Sequence, residues 1–205
     1  DGSKVTTKDE WLTKRRPELK ELFQQVMYGR YPAVIPELSA KIVHEDKNAF
    51  GGAGTLREVA LSVAPNMPPV YVLIAIPNQR SGPVPTFVGL NFYGNHTLTS
   101  DPGVRIPDGW MYPNAPGVKN NRATAESRGK SEGAYPLAQI LAKGYAVATA
   151  YSGDIIPDNP KLRAGLANLL MPLPPGVQAP DATGAIMAWE NRPVALPLMS
   201  KYFCS

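Results

Sequence analysis

The stretch LAQILAKGYAVATA, residues 137–150, decides the fold class. Residues 137–142 repeat apolar side chains at helical spacing, and Gly144 then provides a helix end. A continuous apolar run follows, of the kind typical of central strands that are covered on both faces. A helix that leads into such a strand indicates a crossover between parallel strands. We therefore predict an α/β fold with a mixed, mostly parallel sheet and flanking helices.

Four further stretches predict the other strands of this sheet. Residues 39–45 and 56–63 alternate apolar and polar side chains on either side of a glycine-rich turn, which predicts an antiparallel pair. Residues 70–76 and 86–92 are denser apolar runs and predict central strands. The segment before the helix, residues 99–133, is rich in Pro, Gly and Asn, and loops this long in compact domains are often functional.

The N-terminal region predicts one long helix or two shorter ones. Thr7 and Glu10 have the spacing of a capping box, in which each side chain accepts a hydrogen bond from the backbone amide of the other residue. Apolar residues recur at helical spacing over residues 19–26, and Gly29 provides a C-terminal stop. Pro17 either begins the second segment or kinks one longer helix.

The composition indicates one globular domain. The chain has 205 residues, 43% of them hydrophobic. Its net charge is +4, but the basic residues are scattered and the run at residues 14–16 falls in a helical pattern, so we expect no nucleic-acid partner. No window is apolar over the roughly 18 residues that a membrane span requires, and no signal-peptide pattern occurs, so we expect a soluble chain and no membrane partner.

The sequence offers no cofactor or metal motif. The single cysteine, Cys204, excludes an internal disulfide and a multi-cysteine metal site. No phosphate-binding loop, dinucleotide-binding glycine pattern, zinc spacing or metalloprotease motif occurs. We therefore expect no cofactor and no metal.

Two histidines are the candidates for a general base. His44 falls in an alternating strand pattern, so we favour a partly exposed structural position for it. His96 follows the apolar run that ends at Phe92, and with a serine and an acid it could act as a base. Ser100 and Asp101 follow it without a recognised spacing, so we favour a structural or supporting role for His96.

A serine and two aspartates follow the last predicted strand. The serine nucleophile of an α/β-hydrolase lies on a strand-to-helix elbow with the pattern G-x-S-x-G, which the sequence lacks, so we interpret Ser152 as part of a turn. Asp154 and Asp158 could hold a hard cation or act as a carboxylate pair. Because Pro157 between them favours an extended turn, we favour hydrogen bonds that brace the loop.

Several stretches together resemble the N-terminal half of the glucuronoyl esterases, carbohydrate esterase family 15. They follow the family's order and spacing over residues 6–189: Trp11 with RRPEL (15–19), YGRYP (28–32), GLNFYGNHTL (89–98), Arg128-Gly129 before YPL (135–137), and KGYAVATAYSGDIIPD (143–158). The resemblance implies an α/β-hydrolase fold and hydrolysis of the ester between the 4-O-methyl-glucuronic acid of xylan and a lignin alcohol. It also implies a secreted or periplasmic protein whose partner is glucuronoxylan or a lignin-carbohydrate ester.

The resemblance also implies where the active-site mouth lies. The mouth candidates follow two neighbouring strands: Tyr93, Gly94, Asn95 and His96 after the first, Asp154 and Asp158 after the second. The family's nucleophile elbow, Gly-Cys-Ser-Arg-x-Gly-Lys, and its later acid and histidine have no counterpart in this sequence. We therefore assign no catalytic residue and expect this chain to be inactive by itself.

Residues 1–189 are interpreted as the N-terminal half of an α/β-hydrolase domain, cut before the nucleophile elbow, and residues 190–205 as an atypical C-terminal tail. Asp181 begins a helical pattern that Pro193 and Pro197 break, which we interpret as a truncation or a frameshift. A partial sheet would expose an edge that invites self-association. The alternatives are a non-catalytic carbohydrate-binding or assembly protein, or an acetylxylan-type esterase.

Overall fold

The computed structural model of the protein describes residues 2–23, 38–62, 68–155 and 157–159. Its five-stranded sheet has the order β1-β2-β3-β5-β4. The strands are β1 (Ser39–Ala49), β2 (Gly54–Ser62), β3 (Val70–Pro77), β4 (Thr86–Asn91) and β5 (Ala146–Tyr151). The described α-helices are α1 (Lys8–Glu10), α2 (Arg16–Phe23), α3 (Leu137–Ala142) and α4 (Ser152–Ile155). The five strands and α3 confirm the elements that the sequence predicts.

The sheet is mixed, as predicted, but most of its described pairings are antiparallel. β1 with β2, β2 with β3, and β3 with β5 are antiparallel, and β4 with β5 is parallel. The expectation of a mostly parallel sheet therefore does not hold for the described strands. Antiparallel neighbours need only a short connection, and β1 to β3 follow one another closely along the chain. The connection from β4 through α3 to β5 has the length that a parallel crossover requires.

Each face of the sheet carries its own apolar cluster, because side chains alternate along a strand. One face is formed by Val59, Leu61, Val70, Val72, Ile74, Ala148 and Ala150, with Ile155 of α4 packed against them. On the other face, Leu56, Leu73, Ala75 and Val147 pack with Leu137 and Leu141 of α3. Full burial of one aliphatic side chain is worth roughly 1.5–3 kcal/mol, so both clusters stabilise the sheet.

The face that contacts α3 changes from apolar to polar toward the end at which β4 and β5 finish. Leu73 pairs with Glu58 on one side and with Thr149 on the other, and both polar neighbours are buried. Asn91, the last residue of β4, is also buried. The segment after β4 covers this polar region, since its residues hydrogen bond to Glu58.

The N-terminal capping box is confirmed. Thr7 Oγ1 accepts a hydrogen bond from Glu10 N at 3.1 Å, and Glu10 Oε2 accepts one from Thr7 N at 3.2 Å. Helical residues then continue from α1 through a π-helical segment, Trp11–Arg15, into α2. Pro17 therefore lies inside one longer helix. The wider π-helical turn ends at Arg15, two residues before Pro17, which has no N–H to donate.

Several expectations lie outside the described residues. These are the apolar position at residue 26, the stop at Gly29, the helix at residues 181–189 and the tail at residues 190–205. The domain boundaries accordingly stay predictions. Within the described part of the chain, no helix has the length and hydropathy to cross a membrane.

Candidate functional site

The turn that follows β4 is built around the side chain of Asn91. Asn91 Oδ1 accepts a hydrogen bond from Gly94 N at 2.8 Å, and Asn91 Nδ2 donates to Asn95 Oδ1 at 2.9 Å. Gly94 has φ +93°, and a Cβ at this position would lie 2.8 Å from His96 Nδ1. The turn therefore requires glycine between β4 and the 3₁₀ turn Asn95–Leu98.

A buried carboxylate in β2, Glu58, connects this turn to the sheet. Glu58 Oε1 accepts a hydrogen bond from Asn95 Nδ2 at 3.3 Å, and Glu58 Oε2 accepts one from Arg105 N at 2.8 Å. Asn95 Nδ2 also donates to Tyr71 O at 2.9 Å. Burial raises the pKa of Glu58, while these hydrogen bonds and the Arg105 cation oppose the rise. Glu58, in β2, thus holds the side chain of Asn95 in place.

His96 is fully buried and its ring is held by Ser127. His96 Nε2 lies 2.7 Å from Ser127 Oγ, and Ser127 Oγ donates to Thr124 O at 2.5 Å. Because the serine hydrogen is used in this way, His96 carries its proton on Nε2 and donates it to Ser127. Burial, with smaller contributions from the Arg128 and Arg105 cations, lowers the pKa of His96 to about 4. A neutral, enclosed imidazole of this kind agrees with the structural role predicted from the sequence.

Asp154 lies in α4, directly after β5, and its side chain is 10% exposed. Burial raises the pKa of Asp154 to about 6, against the Arg105 cation and a hydrogen bond from the backbone of Tyr71. Arg105 Nη1 is 3.7 Å from Asp154 Oδ1, and the guanidinium lies 4.3 Å from the centroid of the Tyr71 ring. Arg105 Nη2 also contacts Asp108 Oδ2 at 3.0 Å. Arg105 therefore connects α4, through Asp154, to Glu58.

Asp158 joins the same region through aromatic side chains. The Tyr112 hydroxyl donates a hydrogen bond to Asp158 Oδ2. The Tyr112 ring packs edge-on against Trp110 and Tyr93, with centroid distances of 5.3 and 6.2 Å. The Tyr151 hydroxyl donates to Trp110 O at 2.9 Å, which fixes this aromatic cluster against the end of β5.

The structure brings the sequence-predicted mouth residues to one edge of the sheet. They lie where the parallel strands β4 and β5 end: Tyr93, Gly94, Asn95, His96, Asp154 and Asp158. In open α/β sheets, ligands bind beyond the carboxyl ends of the strands. The position of these residues is consistent with an active-site mouth, and their role there stays a prediction.

Sequence reasoning missed three residues that organise this edge: Glu58, Arg105 and Ser127. Glu58 carried a signal, because alternation along β2 places it on the same inward face as Leu56. Arg105 and Ser127 carried none, since both lie in the long segment after β4 and bond to partners more than a turn away in sequence.

The other candidates from the sequence, His44 and Ser152, lie within secondary-structure elements. His44 lies in β1, and its Nε2 is 2.8 Å from Asp101 Oδ2. Burial of Asp101 works against its charge, but the hydrogen bond from His44 and one from Gly103 N lower the pKa of Asp101 overall. Ser152 begins the short helix α4 and is buried. The described residues include no group of three or more His, Cys, Asp or Glu side chains that could hold a metal ion.

The fold and the polar residues at the carboxyl ends of β4 and β5 together indicate a protein of the α/β-hydrolase type. No protein-family model matches the chain. Carbohydrate esterase MZ0003, from an unknown prokaryotic organism, is 37% identical to it over 164 residues, which are 77% of this chain and 37% of that protein.

Solved structures give the same result with fuller coverage of the chain. A promiscuous CE15 esterase from the marine bacterial metagenome has a TM-score of 0.77 and 34% identity, covering 99% of this chain and 50% of that one. A glucuronoyl esterase from Solibacter usitatus has a TM-score of 0.79 and 30% identity, covering 98% of this chain and 52% of that one. The resemblance is therefore confirmed: the chain is similar in sequence and in fold to esterases of carbohydrate esterase family 15, including a glucuronoyl esterase. It spans about half of the length of these relatives.

Proposed function

We propose that the chain forms one wall of the active-site mouth of a carbohydrate esterase. The substrate would be the ester that joins the 4-O-methyl-glucuronic acid of xylan to a lignin alcohol. The similarity to a glucuronoyl esterase supports the substrate class. The observation that carries the proposal is the polar turn after β4, which Asn91 and Glu58 hold at the carboxyl end of the parallel pair.

The reaction would be acyl transfer. A serine attacks the ester carbonyl, a histidine takes the serine proton and then gives it to the leaving alcohol, and amide donors stabilise the oxyanion. In this fold one such donor is a backbone N–H from the loop after the strand next to the nucleophile strand. In this chain that loop begins at Phe92 and Tyr93, and Tyr93 N makes no hydrogen bond to the backbone of another described residue. We assign no catalytic side chain to this protein.

The described hydrogen bonds would keep the mouth rigid before substrate arrives. Asn95 is bonded to Asn91, Glu58 and Tyr71, so it cannot rotate without breaking several buried contacts. Groups that are held in place beforehand cost little reorganisation during the reaction, which is the main source of electrostatic catalysis. Arg105 and Asp154 would hold the opposite side of the mouth in the same manner.

The proposal is tested by titrating the isotope-labelled chain with benzyl glucuronate and recording amide NMR spectra. We expect saturable shifts at Tyr93, Gly94 and Asp154 without release of benzyl alcohol. Tyr93→Ala should weaken binding, whereas Phe87→Ala, a matched change at an exposed aromatic residue of β4, should not. Absence of shifts at the turn after β4 would contradict the mouth assignment, and ester hydrolysis by this chain would contradict the absence of catalytic residues.

A second candidate is a non-catalytic carbohydrate-binding or assembly protein, and the exposed edge strand favours it. Within the described sheet β4 is an edge strand, and Phe87 on it is 58% exposed and packs on Tyr145. An edge with exposed rings invites pairing with a second copy. A dimer that forms at micromolar concentration and that Phe87→Lys converts to monomers would support this candidate. An acetylxylan-type esterase differs only in substrate, and release of acetate from acetylated xylan would identify it.

We also propose that the intact protein is secreted, because its substrate class is an insoluble polymer of the plant cell wall. An antibody against this chain should detect the protein in culture medium or periplasm. Detection in the cytosol alone would contradict the proposal.

A further inference from the structure

A cavity of about 660 Å³ opens on the face of the sheet that packs against α3, and none of the proposed mouth residues lines it. Leu56 lines it, and Leu56 pairs with Ala75, which in turn pairs with Val147 near the start of β5. The mouth follows Tyr151, four residues further along β5, or about 13 Å along the strand direction. Leu98, which also lines the cavity, ends the 3₁₀ turn that carries Asn95 and His96, so the cavity adjoins the mouth but has its own lining residues. Its volume falls in the range of roughly 300–1,000 Å³ typical of ligand pockets.

The floor of the cavity is apolar and two aromatic rings form part of its wall. The floor consists of Ala49, Leu56, Leu98 and Leu137. Phe50 and Tyr135 contribute the rings. The Tyr135 hydroxyl donates to Leu90 O at 2.9 Å, so that this ring is held in a fixed orientation. A fixed aromatic ring beside aliphatic side chains is suited to the C–H face of a flat or chair-shaped ligand.

The rim of the cavity is polar and carries no described cation. Asp46, Ser100, Glu132 and Gln139 supply a carboxylate, a hydroxyl, a second carboxylate and an amide. Asp46 Oδ1 accepts a hydrogen bond from Asn48 N, and the carboxylate of Asp101 is bonded to His44. None of the described lining residues is Lys, Arg or His, so a ligand with a negative charge would meet several carboxylates and no cationic side chain among them.

We propose that this cavity binds a neutral oligosaccharide of pyranose rings. Sugar rings have apolar C–H faces that stack on aromatic side chains and hydroxyls that donate to carboxylates and exchange hydrogen bonds with amides and hydroxyls. Hydrogen bonds to a carboxylate are stronger than those between neutral groups, so Glu132 and Asp46 anchor the hydroxyls while the floor and rings take the ring face. The rim's charge disfavours uronic acids. The site would hold the unbranched part of a polysaccharide while the mouth engages an ester elsewhere.

The test is an amide NMR titration of the labelled 205-residue chain with neutral xylotetraose. Saturable shifts at Gly133 and Ala138 are expected, and Tyr93 and Gly94 report separately on the mouth. Ala138→Trp fills the cavity from α3 and should weaken binding by at least about tenfold. Ala142→Trp, the same change one turn further along α3 at an exposed residue outside the cavity lining, should leave binding within about twofold.

Three further probes distinguish the ligand classes. A xylotetraose that carries a glucuronic acid branch should bind at least about threefold more weakly than the neutral sugar, and tighter binding would overturn the proposal. Benzylammonium is the second probe. If it shifts the Gly133 and Ala138 amides and xylotetraose does not, the cavity is a cation site and the proposal is overturned. The choice of xylose rests on the proposed function: binding of cellotetraose in place of xylotetraose would support the cavity and count against xylan as substrate.

Discussion

Replacing Asp154 with Asn should remove a large pH dependence from the stability of the protein. Burial raises the pKa of Asp154 from 3.8 to about 6. The folded state therefore binds the proton more tightly than the unfolded state, and this group contributes extra stability at low pH that is lost as pH rises through about 6. A shift of this size corresponds to about 3 kcal/mol between pH 7 and pH below 4.

The measurement is the free energy of unfolding by urea at pH 7, 6, 5 and 4 for both proteins. Subtracting the Asp154→Asn values from the parent values isolates this carboxyl group. His96 titrates in the opposite direction: its pKa is lowered to about 4, so it removes stability as pH falls below 6.5, and this contribution cancels in the difference. The difference should grow in favour of the parent protein by about 2 kcal/mol from pH 7 to pH 4, because the unfolded carboxyl group is already partly protonated at pH 4.

Asp108→Asn is the matched control. Asp108 contacts the same arginine, Arg105, but its side chain is 93% exposed, so the exchange should change stability by less than about 0.5 kcal/mol at every pH. A parent-minus-Asp154→Asn difference that is constant with pH would refute the reasoning, because the carboxyl group would then titrate alike in both states.

Three other experiments, one pH titration and two substitutions, test the region that follows β4. The His96 Cε1–H resonance should keep its chemical shift from pH 8 to pH 5 because burial holds the pKa of the ring at about 4, and a titration midpoint near 6.5 would show that the ring is open to water. Glu58→Gln should destabilise the protein by about 1–3 kcal/mol in urea unfolding, since the NH₂ group of the new amide would face the N–H donors of Asn95 or Arg105; a neutral result would contradict the assigned hydrogen bonds to both carboxylate oxygens. Gly117→Ala should cost about 3 kcal/mol by the same assay, because φ is +72° and the added Cβ would lie 2.4 Å from a backbone nitrogen; Gly133→Ala, with nothing within 4 Å, is the control, and equal effects of the two would contradict the assigned backbone.

The sequence predicts the secondary structure well because each element is specified locally. The helix α3 ends at its glycine, and the predicted alternation agrees with burial along most of β2, whereas β1 forms as predicted but stays exposed at both Ile42 and Val43. Strand direction was harder to infer. An apolar run fits a strand covered on both faces whether its neighbours are parallel or antiparallel, and only the order of the strands in space decides between them.

The candidate site was predictable only in part, for a similar reason. The polar residues at the end of β4 could be located because they interrupt an apolar run. The partners that fix them, such as Glu58 and Arg105, come from distant parts of the chain, and hydrogen bonds between distant residues leave no pattern in a single sequence.

The order of the strands has a consequence for folding during synthesis. β5 is the last of the described strands to be made, yet it lies between β3 and β4. Until Tyr151 has left the ribosome, β3 and β4 each have an unpaired inner edge, and closing the long connection between β4 and β5 adds an entropic cost that the local β1–β3 meander does not have. The nascent chain therefore presents apolar strands to its surroundings for the time needed to translate about 60 residues, several seconds at roughly 5–20 residues per second. Chaperone demand during synthesis should fall sharply once β5 is inserted.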